Sequence, residues 1–596
     1  MMEVREHRED LIRRLPALRL TFLIVVVLIA ACYWFVQVVH GSYYRERAEN
    51  NRLRKASIQA PRGLIYDRHG RLLVENIPSY RLLFDRSRSL DVEASLEFAA
   101  QTLARPASDF ERALKRASGA SVYKPVLLAE DLSLTQVARF SVEALEHPEF
   151  EIHVEHLRLY RHGPTTAHVL GYLGEATEDE LLEAPTGLGA GDLVGRRGIE
   201  SQHDSFLRGR DGERVVVVDS RGRRREEHGN RQAFSGRDLE LTLDLELQQE
   251  AARYFVDRVG AAIAMDPRSG EILALVSSPS YNPNVFARRL EREEWQQIVE
   301  APNDPLQNRS LQNLYSPGSI FKIVVAVAGL DEGVVDEDDR YFCQGSTRIY
   351  NRRFRCWKPG GHGSVNLHEA IQKSCDVFFY YVGQKLGVER IAHYARLFGL
   401  GKVTGIDLEG EKRGLVPDLT WSMESRGTPW YPGETISVAI GQGPLLVTPL
   451  QVASLMAVIA NGGDRIEPHL VARDGAVRRR PVAITPASRE LVRKALWAVV
   501  NDRGTGGIAR LENIEIAGKT GTVQVVEQKQ WIDSKDLPFA QRDHAWFASF
   551  APAEGAELVV VVFVEHGGKG SEEAAPLAKI IYEKYFSKTD DARNVS

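Results

Sequence analysis

The chain has 596 residues, 43% hydrophobic and 26% charged, which excludes a disordered, collagenous or low-complexity protein. Lys plus Arg is 76 against 81 for Asp plus Glu, a net charge of −5. Nucleic-acid binding by phosphate neutralisation needs a basic excess, so no nucleic-acid partner is expected. Four cysteines, Cys32, Cys343, Cys356 and Cys375, are too few for a disulfide-dense scaffold.

Leu20 to Val39 carries no charge and is broken only by Thr21 and Gln37. Twenty such residues make a helix about 30 Å long, one hydrocarbon thickness. A buried core helix is rarely apolar all round. A signal peptide would end at a small-x-small site, whereas Cys32-Tyr33-Trp34-Phe35 is bulky. The segment reads as an uncleaved single-pass anchor (20–39) behind a short tail (1–19). Arginines flank it on both sides, so charge does not set its direction. A cytoplasmic tail and an exported body are expected because large domains translocate largely regardless of charge.

The rest reads as α/β material. Ala60-Pro61-Arg62-Gly63-Leu64-Ile65-Tyr66-Asp67 predicts a turn into a strand, and His168 to Gly174 a short apolar strand. The densely charged stretch 221–231 predicts an exposed hairpin tip or linker. The texture changes near 236. Leu239 to Asp244 alternates like a half-buried strand, and Ala261–Met265 and Glu271–Val276 form a pair around Pro267-Arg268-Ser269-Gly270. Leu558 to Val564 is apolar throughout, as in a strand covered on both faces. These shifts divide the chain into an irregular domain over 40–235, a large domain over 236–587 and a tail over 588–596.

The chemistry lies in the large domain. Ser316-Pro317-Gly318-Ser319-Ile320-Phe321-Lys322 precedes an apolar helix, with Ser319 at its expected N-cap. Lys322 is three residues on, one turn up on the same face, and is the only charge between Ser316 and Leu330. Burial disfavours a lysine's charged form, so such an amine could take a serine's proton. The bland alternative is a capping serine beside an unrelated lysine, and Ser121-Val122-Tyr123-Lys124 matches the pattern too, with Pro125 and no apolar helix after it. Ser374-Cys375-Asp376 lies in an aromatic-rich helical stretch, and Lys519-Thr520-Gly521-Thr522 opens a predicted strand. Each is weak alone. In this order, spaced by 55 and 145 residues, they form the motif set of penicillin-recognising serine enzymes.

On these motifs the sequence resembles the class B penicillin-binding proteins, within them the elongation-type branch, penicillin-binding protein 2. The resemblance runs over nearly the whole chain. Pro61-Arg62-Gly63 to Gly70 and Val194-Gly195-Arg196-Arg197-Gly198-Ile199-Glu200 look like pedestal signatures. Asp266-Pro267-Arg268-Ser269-Gly270, Gly441-Gln442-Gly443, Thr448-Pro449-Leu450-Gln451 and His544-Ala545-Trp546-Phe547 look like transpeptidase landmarks. Most relatives carry Asn where this chain has Asp376; the elongation-type branch carries Asp. The division-type enzyme matches less well, and no glycosyltransferase-like stretch fits between anchor and pedestal.

The resemblance implies an α/β (α+β) fold: an anchor, an elongated pedestal, and a β-lactamase-like transpeptidase domain with an antiparallel sheet flanked by helices. It implies an inner-membrane protein with a periplasmic catalytic domain that crosslinks peptidoglycan stem peptides of nascent lipid-linked glycan and is acylated by β-lactams. Ser319 would be the nucleophile and Lys322 the base. Ser374 and Asp376 would relay a proton, Lys519, Thr520, Gly521 and Thr522 would bind the substrate carboxylate, and the Ser319 and Thr522 N–H groups would form the oxyanion hole. Implied partners are a polytopic glycan polymerase of the shape-and-division family and elongation scaffold proteins. A carboxypeptidase side activity also belongs to this reading. The rival class is a non-catalytic penicillin sensor or scaffold; the short tail leaves little room for a sensor's signalling part, and Ser319, Lys322 and Lys519 are all present.

Cys343, Cys356, His362 and Cys375 are spaced Cys-x12-Cys-x5-His-x12-Cys, a complete set for structural tetrahedral zinc. Buried free thiols, or one disulfide with a thiol left over, remain open. Elongation-type relatives include members with a metal site here, and a metal would steady Ser374 and Asp376 through Cys375. The chemistry itself needs no cofactor.

Overall fold

A computed structural model describes the chain except at 1–2, 46–52, 118, 120–124, 144–145, 184–187, 190, 219–223, 289, 291, 474, 527–532 and 596. The Ser121-x-x-Lys124 match lies outside the described residues. Helix α1 (Glu3–Trp34) continues as a π-helical turn, Phe35–Val39. Its stretch Leu15–Val39 has a mean hydropathy of 2.7 and none of it is buried against protein. By length and composition it can cross a bilayer once.

The described chain forms two compact units, each assembled from separated stretches: Met1–Pro61, Pro78–His156 and Gly209–Ser235 in one, Arg62–Ile77, Leu157–Arg208 and Gly236–Ser596 in the other. The first holds an antiparallel sheet of Leu53–Ile58, Gly212–Val218 and Arg224–Arg231. The charged stretch expected as a hairpin tip or linker thus supplies a hairpin strand, while 219–223 lie outside the described residues. In the same unit, helices Val92–Leu103, Ala107–Arg116 and Leu134–Glu143 bury Leu96, Phe110 and Phe140 with Phe84, whose strand pairs with Val126–Ala129. Asp91 starts the first helix by accepting the N–H groups of Glu93 and Ala94.

In the second unit, Glu200 is fully buried between Arg62 (2.6 Å) and Arg158 (2.7 Å), tying 62–77 to 157–208. Burial pushes the Glu200 carboxyl up, but the Arg158 and Arg62 guanidiniums outweigh it and hold the group below its ordinary value. The strand expected over His168–Gly174 is instead a helical turn, Ala167–Leu170, and a strand, Leu173–Glu175. Gly171, at φ 78°, breaks them apart; its Cα lies too close to the Arg197 carbonyl for any side chain. The alternating stretch from Leu239 pairs as a strand only over Leu239–Glu240, parallel to Ile65–Tyr66.

The core of this unit is a five-stranded sheet of β1 (Gly260–Met265), β2 (Ile272–Ser278), β3 (Ala517–Val523), β4 (His544–Ala551) and β5 (Leu558–Val564). Its order is β2-β1-β5-β4-β3 and every pairing is antiparallel. All seven residues of β5 are buried, as its unbroken apolar run requires. The helices around it include α2 (Lys322–Asp331), α3 (Leu367–Gln372), α4 (Asp376–Leu397), α5 (Pro449–Ala460), α6 (Pro486–Asn501) and α7 (Ala575–Val595). Helices α5 and α7 pack on β5, and α2 lies against α4 and α6. Ile323, Val324, Val325 and Val327 of α2 are fully buried, each contributing about 1.5–3 kcal/mol relative to exposure. Packing on this scale holds α2 rigid where its first turn enters the site.

Candidate active site

Ser319 is not an N-cap. It sits inside a 3-10 turn, Gly318–Phe321, which passes directly into α2 at Lys322. A 3-10 turn eclipses residues three apart, so Ser319 and Lys322 project on the same side. Three outside contacts hold the turn. The Gly318 N–H donates to the Gly441 carbonyl (2.9 Å), the Trp546 indole N–H to the Ser316 carbonyl (3.2 Å), and the Tyr315 hydroxyl to Glu565 (2.6 Å). Arg309 shares that carboxylate at 3.0 Å. Burial, reinforced by Glu565, pushes the Tyr315 hydroxyl's pKa up and keeps it a donor. Gly441 has φ 74°, and a Cβ on it would stand 2.0 Å from the Gly318 carbonyl oxygen. Only glycine permits that approach.

Lys322 is fully buried. Its Nζ donates to Asp376 Oδ1 at 2.7 Å, the Ser374 carbonyl at 2.9 Å and the Ser374 hydroxyl at 3.2 Å, and lies 5.6 Å from the Phe379 ring centre. Ser374 falls between α3 and α4 with φ 54°, a left-handed geometry uncommon for serine. The expected continuous helix is therefore two helices, and the break turns Ser374 and Asp376 toward Lys322. Burial pushes the Asp376 carboxyl up, opposed by Lys322. Sequence reading missed Trp357, whose backbone N–H donates to Asp376 Oδ2 (2.8 Å) and whose indole donates to the Ser374 carbonyl (3.0 Å). Its one signal was its place next to Cys356.

The Lys519-Thr520-Gly521-Thr522 strand is β3, at the edge of the sheet. It lies against the nucleophile turn: a Cβ on Gly521 would be 3.3 Å from the Pro317 carbonyl, and one on Gly318 3.2 Å from the Thr522 carbonyl. The Thr520 hydroxyl meets Thr505 at 2.6 Å, another residue no motif marked. Lys519 is fully buried, its Nζ donating to the Thr520 carbonyl at 3.1 Å. Burial, then Lys322, holds its pKa well below the ordinary lysine value. The structure thus brings Lys322, Ser374 and Asp376 into direct contact and lays the Lys519 strand along the Ser319 turn.

Cys343, Cys356, His362 and Cys375 converge, with one ligand atom from each inside a 4.8 Å span. His362 Nδ1 is 3.5 Å from Cys356 Sγ and 3.7 Å from Cys343 Sγ. All three thiols are free and buried, without a disulfide. Hydrogen bonding to Cys375 pulls the Cys356 thiol down, and the same bond pushes Cys375 up. Three sulfurs and one imidazole nitrogen converging at this range fit a tetrahedral zinc ion. His362 Nε2 is buried without a partner, so Nδ1 is the nitrogen turned to the cluster.

Comparison with known proteins agrees with this architecture. The sequence model of the penicillin binding protein transpeptidase domain matches residues 260–583, and that of the penicillin-binding protein dimerisation domain residues 57–241. Peptidoglycan D,D-transpeptidase MrdA of Acinetobacter baumannii is 35% identical, over 95% of this chain and 86% of its own. The solved complex between PBP2 and MreC from Helicobacter pylori superposes with a TM-score of 0.80 at 28% identity, covering 90% of this chain and 99% of that one. A chain of a peptidoglycan synthase complex, solved in a study of coordinated polymerization and crosslinking, gives 0.73 at 32% identity, covering 96% and 98%. The chain belongs to the class B penicillin-binding proteins of PBP2 type.

Proposed function

We propose that this chain is an elongation-type peptidoglycan D,D-transpeptidase working through a Ser319 acyl-enzyme. The observation that carries the reading is the convergence of Lys322 on Ser374 and Asp376 beside the turn bearing Ser319. Ser319 Oγ attacks the carbonyl between two D-alanines of a stem peptide. Lys322, one turn up on the same face, accepts the hydroxyl proton. The N–H groups of Ser319 and Thr522 stabilise the oxyanion. Ser374, held by Lys322, passes a proton to the departing D-alanine, and Asp376 keeps the Lys322 amine in place. Lys519, with Thr520 and Thr522 on the same strand, takes the terminal carboxylate, whose charge favours the ammonium form of a buried lysine. An amine from a second stem resolves the acyl-enzyme; water in its place would give carboxypeptidase activity. A β-lactam acylates Ser319 by the same route.

Cys343, Cys356, His362 and Cys375 would hold a structural zinc ion, which supplies folding free energy to the loop between α2 and α4. In this reading the catalytic domain lies on the periplasmic side of the inner membrane, and the pedestal, residues 40–235, meets a polytopic glycan polymerase and a scaffold protein. Support comes from relatives solved with MreC and in a peptidoglycan synthase complex. The decisive test is fluorescent-penicillin labelling with intact-mass analysis. One adduct is expected on the wild type and none on Ser319→Ala; an adduct persisting in the variant would sink the assignment.

A further inference from the structure

Away from the acylation site, the hairpin Asp464–Ile466/Arg479–Pro481 borders a small, open cavity of about 60 Å³. Arg465, Arg478 and Arg480 line it together with Glu467. Arg465 and Arg480 are direct cross-strand partners, an arrangement in which like charges repel. Neighbouring arginines are neutralised: Arg479 pairs with Asp464 at 3.5 Å and Arg473 with Glu467 at 3.3 Å. Arg465, Arg478 and Arg480 have no ion-pair partner among the described residues. Gly399 makes room for this cluster, since a Cβ there would stand 3.2 Å from Arg465 Cδ.

We propose that this cavity binds a phosphate-class dianion, a phosphate monoester or a pyrophosphate group. Glu467 is already taken by Arg473, so the guanidiniums of Arg465, Arg478 and Arg480 leave the cavity with uncompensated positive charge, which a dianion would offset. Guanidinium forks match tetrahedral oxyanions in bidentate fashion, which a lysine cluster would not do. A bound dianion also offsets the Arg465–Arg480 repulsion, so the site stores a cost that the ligand removes. The same chemistry could be met by a free phosphate or by a lipid headgroup.

The test uses the full chain in nonionic detergent, titrated calorimetrically with inorganic pyrophosphate and, separately, with dihexanoyl phosphatidic acid. The paired variant Arg465→Gln/Arg480→Gln is expected to lose about tenfold or more in affinity for whichever probe binds. In phosphate-free buffer it should melt at or above the wild-type temperature, because like charges have been removed, while losing the ligand-induced rise in melting temperature. Arg465→Lys, which keeps the charge but not the fork, should bind between the two. Arg510→Gln, at an exposed position outside the cavity, should bind as wild type. Tighter binding of pyrophosphate assigns a free ligand, and tighter binding of the short-chain lipid assigns a headgroup. Binding of neither probe, or an equal loss in Arg510→Gln, overturns the proposal.

Discussion

Gly441→Ala isolates the contact that holds the nucleophile turn. The new Cβ would lie 2.0 Å from the Gly318 carbonyl oxygen, where ordinary contact begins near 3.4 Å. One side must therefore move by about 1.4 Å, as the geometry of a normal van der Waals contact demands. Alanine at φ 74° adds roughly 1–2 kcal/mol of left-handed strain. The backbone that yields is the one carrying Ser319, two atoms from the Gly318–Gly441 hydrogen bond. Misplacing a reacting group by about 1 Å costs on the order of 100-fold in rate. The second-order acylation constant, followed with fluorescent penicillin, should fall by about that factor. Circular dichroism and elution volume should stay as in wild type, because α2 and the sheet remain packed. Gly433→Ala is the control, since nothing lies within 4 Å of a Cβ there. An acylation constant within about threefold of wild type for Gly441→Ala would refute the idea that this close approach sets the turn.

Lys519 must be an ammonium to hold a carboxylate, and burial beside Lys322 depresses its pKa. Pre-acylation affinity for penicillin should therefore be retained below that depressed value and decline as pH rises through it, well short of the ordinary lysine range; an affinity flat up to pH values where free lysine titrates would contradict this. Elemental analysis should find close to one zinc per chain, with His362→Ala lowering both melting temperature and acylation rate; absence of metal together with a mapped Cys343–Cys356 or Cys356–Cys375 disulfide would replace zinc with a covalent clip. Glu200→Gln should destabilise by about 3–5 kcal/mol in urea titrations, because it leaves Arg158 buried without its countercharge and Arg62 with Asp204 alone. That stability would be present above the ordinary carboxylate range and lost as pH falls through the lowered Glu200 value, so a wild-type profile without an acid-side loss absent from the variant would count against it.

Local pattern alone carried a good deal. The apolar run Leu558–Val564 announced a strand covered on both faces, and it lies buried at the centre of the sheet. The uncharged segment from Leu20 announced an anchor, and three short motifs in order announced the chemistry. These signals were legible because hydrophobic periodicity and turn residues report an element's own surroundings. What such patterns do not report is which distant element supplies the other side. Ser374 needed a left-handed φ between two helices to face Lys322, and Trp357 reached Asp376 only because the cysteine-histidine loop folds back on α4. Lys519 could be read as an exposed strand-end lysine until packing closed over it. Gly441 shows as a turn glycine in sequence and as a rigid stop against Gly318 in space. The compact units, too, interleave stretches that the chain visits more than once. Each of these depends on backbone groups brought together across long sequence separations. Such contacts are selected by the packing of whole elements, and no local pattern encodes them.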